Sequence, residues 1–273
     1  MTKAWFITGS SSGIGRVLTE SLLARGDRVA ATLRDVKALE ELKSRYGASL
    51  WLSALDVTDV AAIRRVMGQA FLDLGRIDVV VSNAGYGLFG AGEELTDEQI
   101  RHQIDTNLIG SIQVIRAALP HLREQGGGRI VQVSSEGGQT AYPSFSLYHA
   151  TKWGIEGFVE SVAKEVASFG IRFTIVEPGP TQTSFGTSKV SPPAMALYAD
   201  TPAGAMRRAA TFAVKDDPVK VVKAMIDCID QDSPRLRLTL GREAFERVRT
   251  SLAGRLAELD SQKEIAVSTS LES

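Results

Sequence analysis

The chain has little cysteine, little net charge and no long apolar run, and each shortage excludes a class of protein. Its one cysteine, Cys228, allows no internal disulfide. A crosslinked secreted framework is therefore excluded, and a reducing cytoplasm is the expected location. The 31 basic side chains nearly balance 32 acidic ones, for a formal net charge of -1. No overall field draws the chain to nucleic acid or acidic lipid, so neither is expected as a partner. The first apolar stretch, Ala4 to Ile7, is far too short for a secretory signal core or a membrane span. His102 and His121 have no cysteine or histidine partner at ligand spacing, so no catalytic metal is indicated.

With 44% apolar and 23% charged residues over 273 positions, the composition is that of an ordinary globular protein. A chain of this length buries a large core without crosslinks. Short apolar runs alternate with helical patterns along it. The runs Ala4–Ile7, Arg28–Leu33, Leu50–Leu55, Val79–Ser82, Arg129–Val133, Arg172–Val176 and Leu236–Leu240 read as strands. They lack strict polar alternation, as strands covered on both faces do. Helices are expected over Gly15–Arg25 and over Asp59–Leu74, with Thr58 as N-cap. Another opens at the capping box of Thr96 and ends near Leu108, and one opens at Asp217-Pro218. The alternation implies an α/β fold: a Rossmann-type, doubly wound, seven-stranded parallel sheet with helices on both faces.

One catalytic domain is expected over 1–241, with an irregular lid over 183–213. A C-terminal helical extension and tail follow over 242–273, frayed from Glu264.

The first strand runs into Thr8-Gly9-Ser10-Ser11-Ser12-Gly13-Ile14-Gly15, and a helix follows at once. Glycines there allow a tight turn and a close approach of backbone to ligand. The helix N-terminus adds unpaired N–H groups, which suit a pyrophosphate. Alone, such a turn could be only a flexible Gly/Ser loop. Six further landmarks follow in order: Asp56-Val57, Asn83-Ala84-Gly85, Asn107, Ser135, Tyr148 with Lys152, and Pro178-Gly179. With them the chain resembles the short-chain dehydrogenase/reductase family, in its single-domain branch. Ala31–Asp35 and Tyr148–Lys152 look most like the 17β-hydroxysteroid dehydrogenase type.

The resemblance implies a nicotinamide cofactor held by Gly9, Ser11, Ser12, Gly13, Ile14 and Gly15 at the turn. Asp56 and Val57 would meet the adenine, and Asn83, Ala84 and Gly85 the ribose. Pro178, Gly179, Thr181 and Thr183 would lie at the nicotinamide carboxamide. The family's acidic selector for NAD falls on Leu33, and Arg34 comes next. A guanidinium holds a 2′-phosphate by charge-assisted bonds, so NADP(H) is expected over NAD(H).

Tyr148 and Lys152 are four apart and share a helix face. A free tyrosine titrates near 10, so bringing it to about 7 takes about 4 kcal/mol. A nearby ammonium and an oxidised nicotinamide ring could supply this in a dry site. In the family, the residue at Tyr148 is the acid/base. Lys152 lowers its pKa and holds the ribose, Ser135 hydrogen-bonds the substrate oxygen, and Asn107 holds a relay water. Taken singly, each residue has a bland reading: a surface pair, a turn serine, a capping asparagine. Ser134 is the lesser candidate beside Ser135, and His149, one position from Tyr148, reads as structural or pocket-rim.

The substrate region is expected from Gly137–Phe145, Tyr86–Phe89 and the lid residues Phe185, Met195, Leu197 and Tyr198. These suit a small hydrophobic ketone or alcohol, although they could equally be lid packing. Homodimers or homotetramers are common in the family, through the helices carrying the asparagine and the tyrosine. Two other readings are a non-turnover NADP(H)-binding redox regulator and a sugar-nucleotide epimerase or dehydratase. The second usually has T-G-x-x-G-x-x-G spacing, which is absent here, and the first typically loses the tyrosine or lysine.

Overall fold

The computed structural model describes residues 2–186, 190–209 and 215–271. Its strands are β1 (Ala4–Thr8), β2 (Arg28–Leu33), β3 (Leu50–Ala54), β4 (Val79–Ser82), β5 (Gly128–Val133), β6 (Ile171–Pro178) and β7 (Arg237–Leu240). Its helices are α1 (Gly13–Arg25), α2 (Glu40–Tyr46), α3 (Val60–Leu74), α4 (Asp97–Ile104), α5 (Gly110–Glu124) and α6 (Ser146–Glu165). After these come α7 (Pro202–Arg208), α8 (Pro218–Ile229), α9 (Arg242–Ser261) and α10 (Lys263–Ser268).

Among the described residues the strands make one parallel sheet of seven, ordered β3-β2-β1-β4-β5-β6-β7. Both faces are covered. Trp5 and Ile7 of β1 point into a core with α1 and α8, whereas Phe6 points into a second core with α3, α5 and α6. This two-sided burial explains the unbroken apolar strands. The strand order reverses between β1 and β4. At such a switch point the connections diverge to opposite faces and leave a crevice at the strand C-termini.

Four expectations are corrected. Asp59, not Thr58, caps α3, accepting from the Ala62 N–H at 2.9 Å. Thr58 instead donates to Asp56 through its N–H and its hydroxyl. The helix capped by Thr96 does not stop near Leu108; it passes through a π-turn over Asp105–Ile109 straight into α5. The tail is helical as α10 rather than frayed at Glu264. The segment read as an irregular lid, 183–213, carries α7, opened by Thr201 and Pro202, and its positions 187–189 and 210–213 lie outside the described residues. No described helix is long and apolar enough to cross a membrane.

Candidate active site

The crevice begins with the turn after β1. Gly9 and Gly13 have φ of +70° and +58°, a left-handed backbone that glycine adopts without strain. Ser12 is the N-cap of α1, yet its hydroxyl makes no capping bond, and both it and Ser11 are exposed. Those hydroxyls and the first N–H groups of α1 point to where an anion would sit. Asn83, Ala84 and Gly85 close against the turn. The Thr8 hydroxyl accepts from the N–H of Asn83 at 2.9 Å and of Ala84 at 3.1 Å. The Asn83 amide donates back to the carbonyls of Thr8 and Gly9. Its side chain therefore shapes the turn.

At the end of β2, Leu33 is buried and Arg34 exposed. Asp35 turns to cap the next turn, accepting from the Lys37 N–H at 3.1 Å, so it is not a partner for Arg34. Asp56 is exposed beside Val57. Its carboxyl is held below the usual range, first by the Thr58 N–H and also by Arg34 nearby. From the far side, Thr183 reaches across the crevice, and a Cβ on Gly13 would stand 3.5 Å from its side chain. Pro178 and Gly179 end β6, where the Gly179 N–H donates to Leu240, and Thr181 bridges to Asp216. The turn, the end of β2 and this third wall together fit a dinucleotide.

The residues expected to react lie further along, after β5 and on α6. Tyr148 and Lys152 project from one face of α6, and both are buried. Ser135 hydrogen-bonds the Tyr148 hydroxyl. Its Oγ also accepts from the Gly137 N–H at 3.1 Å, so the turn role is present whatever else the hydroxyl does. Ser134 points inward to Glu156. The Lys152 ammonium donates to the Val133 carbonyl at 3.0 Å and lies 5.6 Å from the Tyr148 ring centre. Burial pushes Tyr148 up to about 12, partly countered by Ser135. Burial also lowers Lys152 to about 8, against the pull of Glu156. Asn107 sits fully buried in the π-turn, a distortion frequent at functional sites. Its amide joins the Tyr86 backbone to Thr151 on α6, and its Oδ1 keeps a spare lone pair.

His149 is a strut. Its Nδ1 faces the Gly137 carbonyl at 2.8 Å, and its Nε2 accepts from the Tyr142 N–H at 2.9 Å. It thereby spans the loop before Tyr148. Within that loop Ser144 has φ +68°, the one non-glycine residue with positive φ among those described. Ser144 donates to Ala203 in the lid and accepts from the Gly90 N–H.

Phe89, Phe145 and Tyr148 form an apolar cluster, with Tyr142 and Met206 against it. The Phe185 ring lies 5.7 Å from that of Tyr148, tilted by 57°. Of the expected lid residues, Leu197 is 63% exposed and takes no part, whereas Met206, not anticipated, does. Glu94 was also missed. Its buried carboxylate accepts from the Met195 N–H at 2.8 Å and from Arg207 at 2.6 Å, mooring the lid. Its only sequence signal was a carboxylate in an otherwise turn-like stretch.

Comparison with known proteins settles the family. The model for short chain dehydrogenases matches residues 3–193. The chain belongs to the short-chain dehydrogenase family. This dehydrogenase is 37% identical over 263 residues to oxidoreductase BOA17 of Botryotinia fuckeliana, covering 95% of this chain and 94% of that one. It is 37% identical over 191 residues to human 17-beta-hydroxysteroid dehydrogenase type 1, covering 66% and 57%. A crystal structure of a short-chain dehydrogenase from Streptomyces avermitilis superposes with a TM-score of 0.92 at 36% identity, covering 98% of each chain. An alcohol dehydrogenase of Thermococcus sibiricus, complexed with 5-hydroxy-NADP, superposes with a TM-score of 0.74 at 27% identity, covering 88% and 96%. The dehydrogenase is thus an oxidoreductase enzyme with the doubly wound fold expected.

Proposed function

We propose that the enzyme interconverts a hydrophobic ketone and a secondary alcohol with NADP(H), and that Tyr148 is its acid and base. The observation that carries this reading is the meeting of buried Tyr148 and Lys152 with half-buried Ser135, beside an apolar cluster and a glycine turn. NADPH, when bound, supplies the hydride. Ser135 holds the substrate oxygen next to the Tyr148 hydroxyl, which gives it a proton during reduction and takes one back during oxidation. Lys152 offers its ammonium to the ribose and to the phenolate. Asn107 takes a relay water on its free lone pair.

Burial changes the energetics expected from sequence. Starting from about 12 rather than 10, reaching 7 takes about 7 kcal/mol rather than about 4. Ser135 already acts on that starting value, so Lys152 and the oxidised dinucleotide must supply it together. The preference for NADP(H) is supported by buried Leu33, by exposed Arg34 with Asp35 turned away, and by the Thermococcus relative's ligand.

The test is NADPH consumption at 340 nm with a panel of hydrophobic ketones, for the native enzyme and Tyr148→Phe. The variant is expected to lose at least a hundredfold in kcat while binding NADPH normally. Full activity in Tyr148→Phe would falsify the mechanism.

A further inference from the structure

One buried carboxylate beside the reacting groups has no part in the mechanism above. On α6, Tyr148, Lys152 and Glu156 follow at intervals of four and share one face. The Glu156 side chain is 2% exposed. Its Oε1 accepts from the Ser134 hydroxyl at 2.5 Å, and its Oε2 from the Gln139 amide at 2.5 Å. Between those two residues the carboxylate lies against bare backbone, because a Cβ on Gly138 would stand 1.8 Å from Oε1. Both ends and the middle of the segment that carries Ser135 are thus bound to a single side chain of the helix that carries Tyr148.

The charge arrangement is equally specific. Arg237 of β7 donates to Glu156 at 2.6 Å, pairs with Glu177 of β6, and reaches Glu160 at 2.9 Å. Thr239 also serves Glu177. Two buried carboxylates therefore share one guanidinium, and the next cation on that face is Lys152. Unpaired, such a carboxylate costs several kcal/mol. Arginine at this position binds the last strand to the centre of the site. Glu136, on the same segment, is buried as well and pairs with Arg247 at 2.9 Å.

We propose that Glu156, charge-balanced by Arg237, is a positioning residue that sets where Ser135 stands against Tyr148 and Lys152. This rests on the roles given to those three residues above. Glu156 also favours the ammonium form of Lys152, so its charge, not only its shape, has a measurable consequence.

The experiment uses the full chain without added nucleotide. Lys152 is titrated by NMR of its side-chain nitrogen, assigned by its loss in Lys152→Met. Glu156→Gln keeps the shape and removes the charge, and is expected to move the titration down by about one unit. Arg237→Met removes the balancing cation and is expected to move it up by a similar amount. Opposite signs are not an outcome that loosened packing can give. Amide exchange of Ser134–Gln139 is expected to speed up at least tenfold in Glu156→Gln, with β1 unchanged. Gly138→Ala, which alters no charge, should reproduce the exchange effect and leave Lys152 where it was. If Glu156→Gln fails to fold, Arg237→Met and Gly138→Ala still decide the matter. An unmoved Lys152 in Arg237→Met, with unchanged exchange in Gly138→Ala, overturns the proposal. Activity surviving in Tyr148→Phe would instead sink the reading of the site and leave these results standing.

Discussion

Replacing Gly15 with alanine adds one methyl group where the dinucleotide turn has least room. The new Cβ would stand 2.4 Å from the Gly9 carbonyl oxygen and 2.5 Å from Asn83 Nδ2, about 1 Å short of ordinary contact. Neither neighbour yields easily. The carbonyl belongs to the left-handed turn, and the Asn83 amide is committed to Thr8 and Gly9. Helix propensity alone favours alanine by about 1 kcal/mol. Overpacking costs about 1–3 kcal/mol and a lost Asn83 bond about 1 more. The expected net effect is destabilisation by about 1–3 kcal/mol. Gly68, inside α3, is the control: nothing lies within 4 Å of its added Cβ. There the same substitution should stabilise by about 0.5–1 kcal/mol. Urea unfolding with unchanged m-values measures both. NADPH fluorescence should show binding at least tenfold weaker in Gly15→Ala and unaltered in Gly68→Ala. Equal stabilisation of the two variants would refute the close approach at the turn.

Three further outcomes are expected. Leu33→Asp with Arg34→Ala should reverse the preference from NADPH to NADH, and an unmoved ratio of kcat/KM for the two cofactors would remove Arg34 from the selection. Burial lowers the pKa of His149 below 6.5, so from that value downward the unfolded chain binds the extra proton. Stability is then full above about pH 6.5 and falls as the pH drops below it; urea midpoints against pH should show a shallower decline in His149→Gln. Ending the chain after Gly241 removes Arg247 from Glu136, and Ser251 and Arg255 from Gln139. Stability should drop by about 2 kcal/mol, and light scattering on the same pair shows whether the extension also alters the number of copies in the assembly.

Local chemistry made much of this molecule readable in advance. β2 and β4 begin and end where their apolar runs do, because both faces of each are buried. The capping box of Thr96 and the Asp217-Pro218 start also match, being contained within four residues. The helix after Thr96 ran on because a π-turn absorbs one extra residue without any proline or glycine to announce it. The cap of α3 moved by one because Asp56 captured the Thr58 hydroxyl. Tyr148, Lys152 and Ser135 were legible through their spacing. Glu94, Glu156 and Arg237 were not, since their partners stand up to 113 positions away. For Glu156 there was one local clue: it follows Lys152 by four, on the helix face that Tyr148 and Lys152 share.

The way the lid is moored has an implication for how new substrates are acquired. Glu94 takes the Met195 N–H, Arg207 takes the Pro192 carbonyl, Ser144 takes the Ala203 carbonyl, and Val190 pairs with Phe89 and Gly87 through main-chain atoms. Apart from Arg207, Tyr198, whose hydroxyl donates to Glu93 at 2.8 Å, and Met206 in the apolar cluster, the described part of this segment is moored through its backbone, so the identities of its other side chains are free to drift. Pocket shape can then be rewritten one substitution at a time while the lid stays docked. Repertoire change in such an enzyme is decoupled from folding, and a lid library with Arg207 and Tyr198 held constant is the natural place to begin redesigning its specificity.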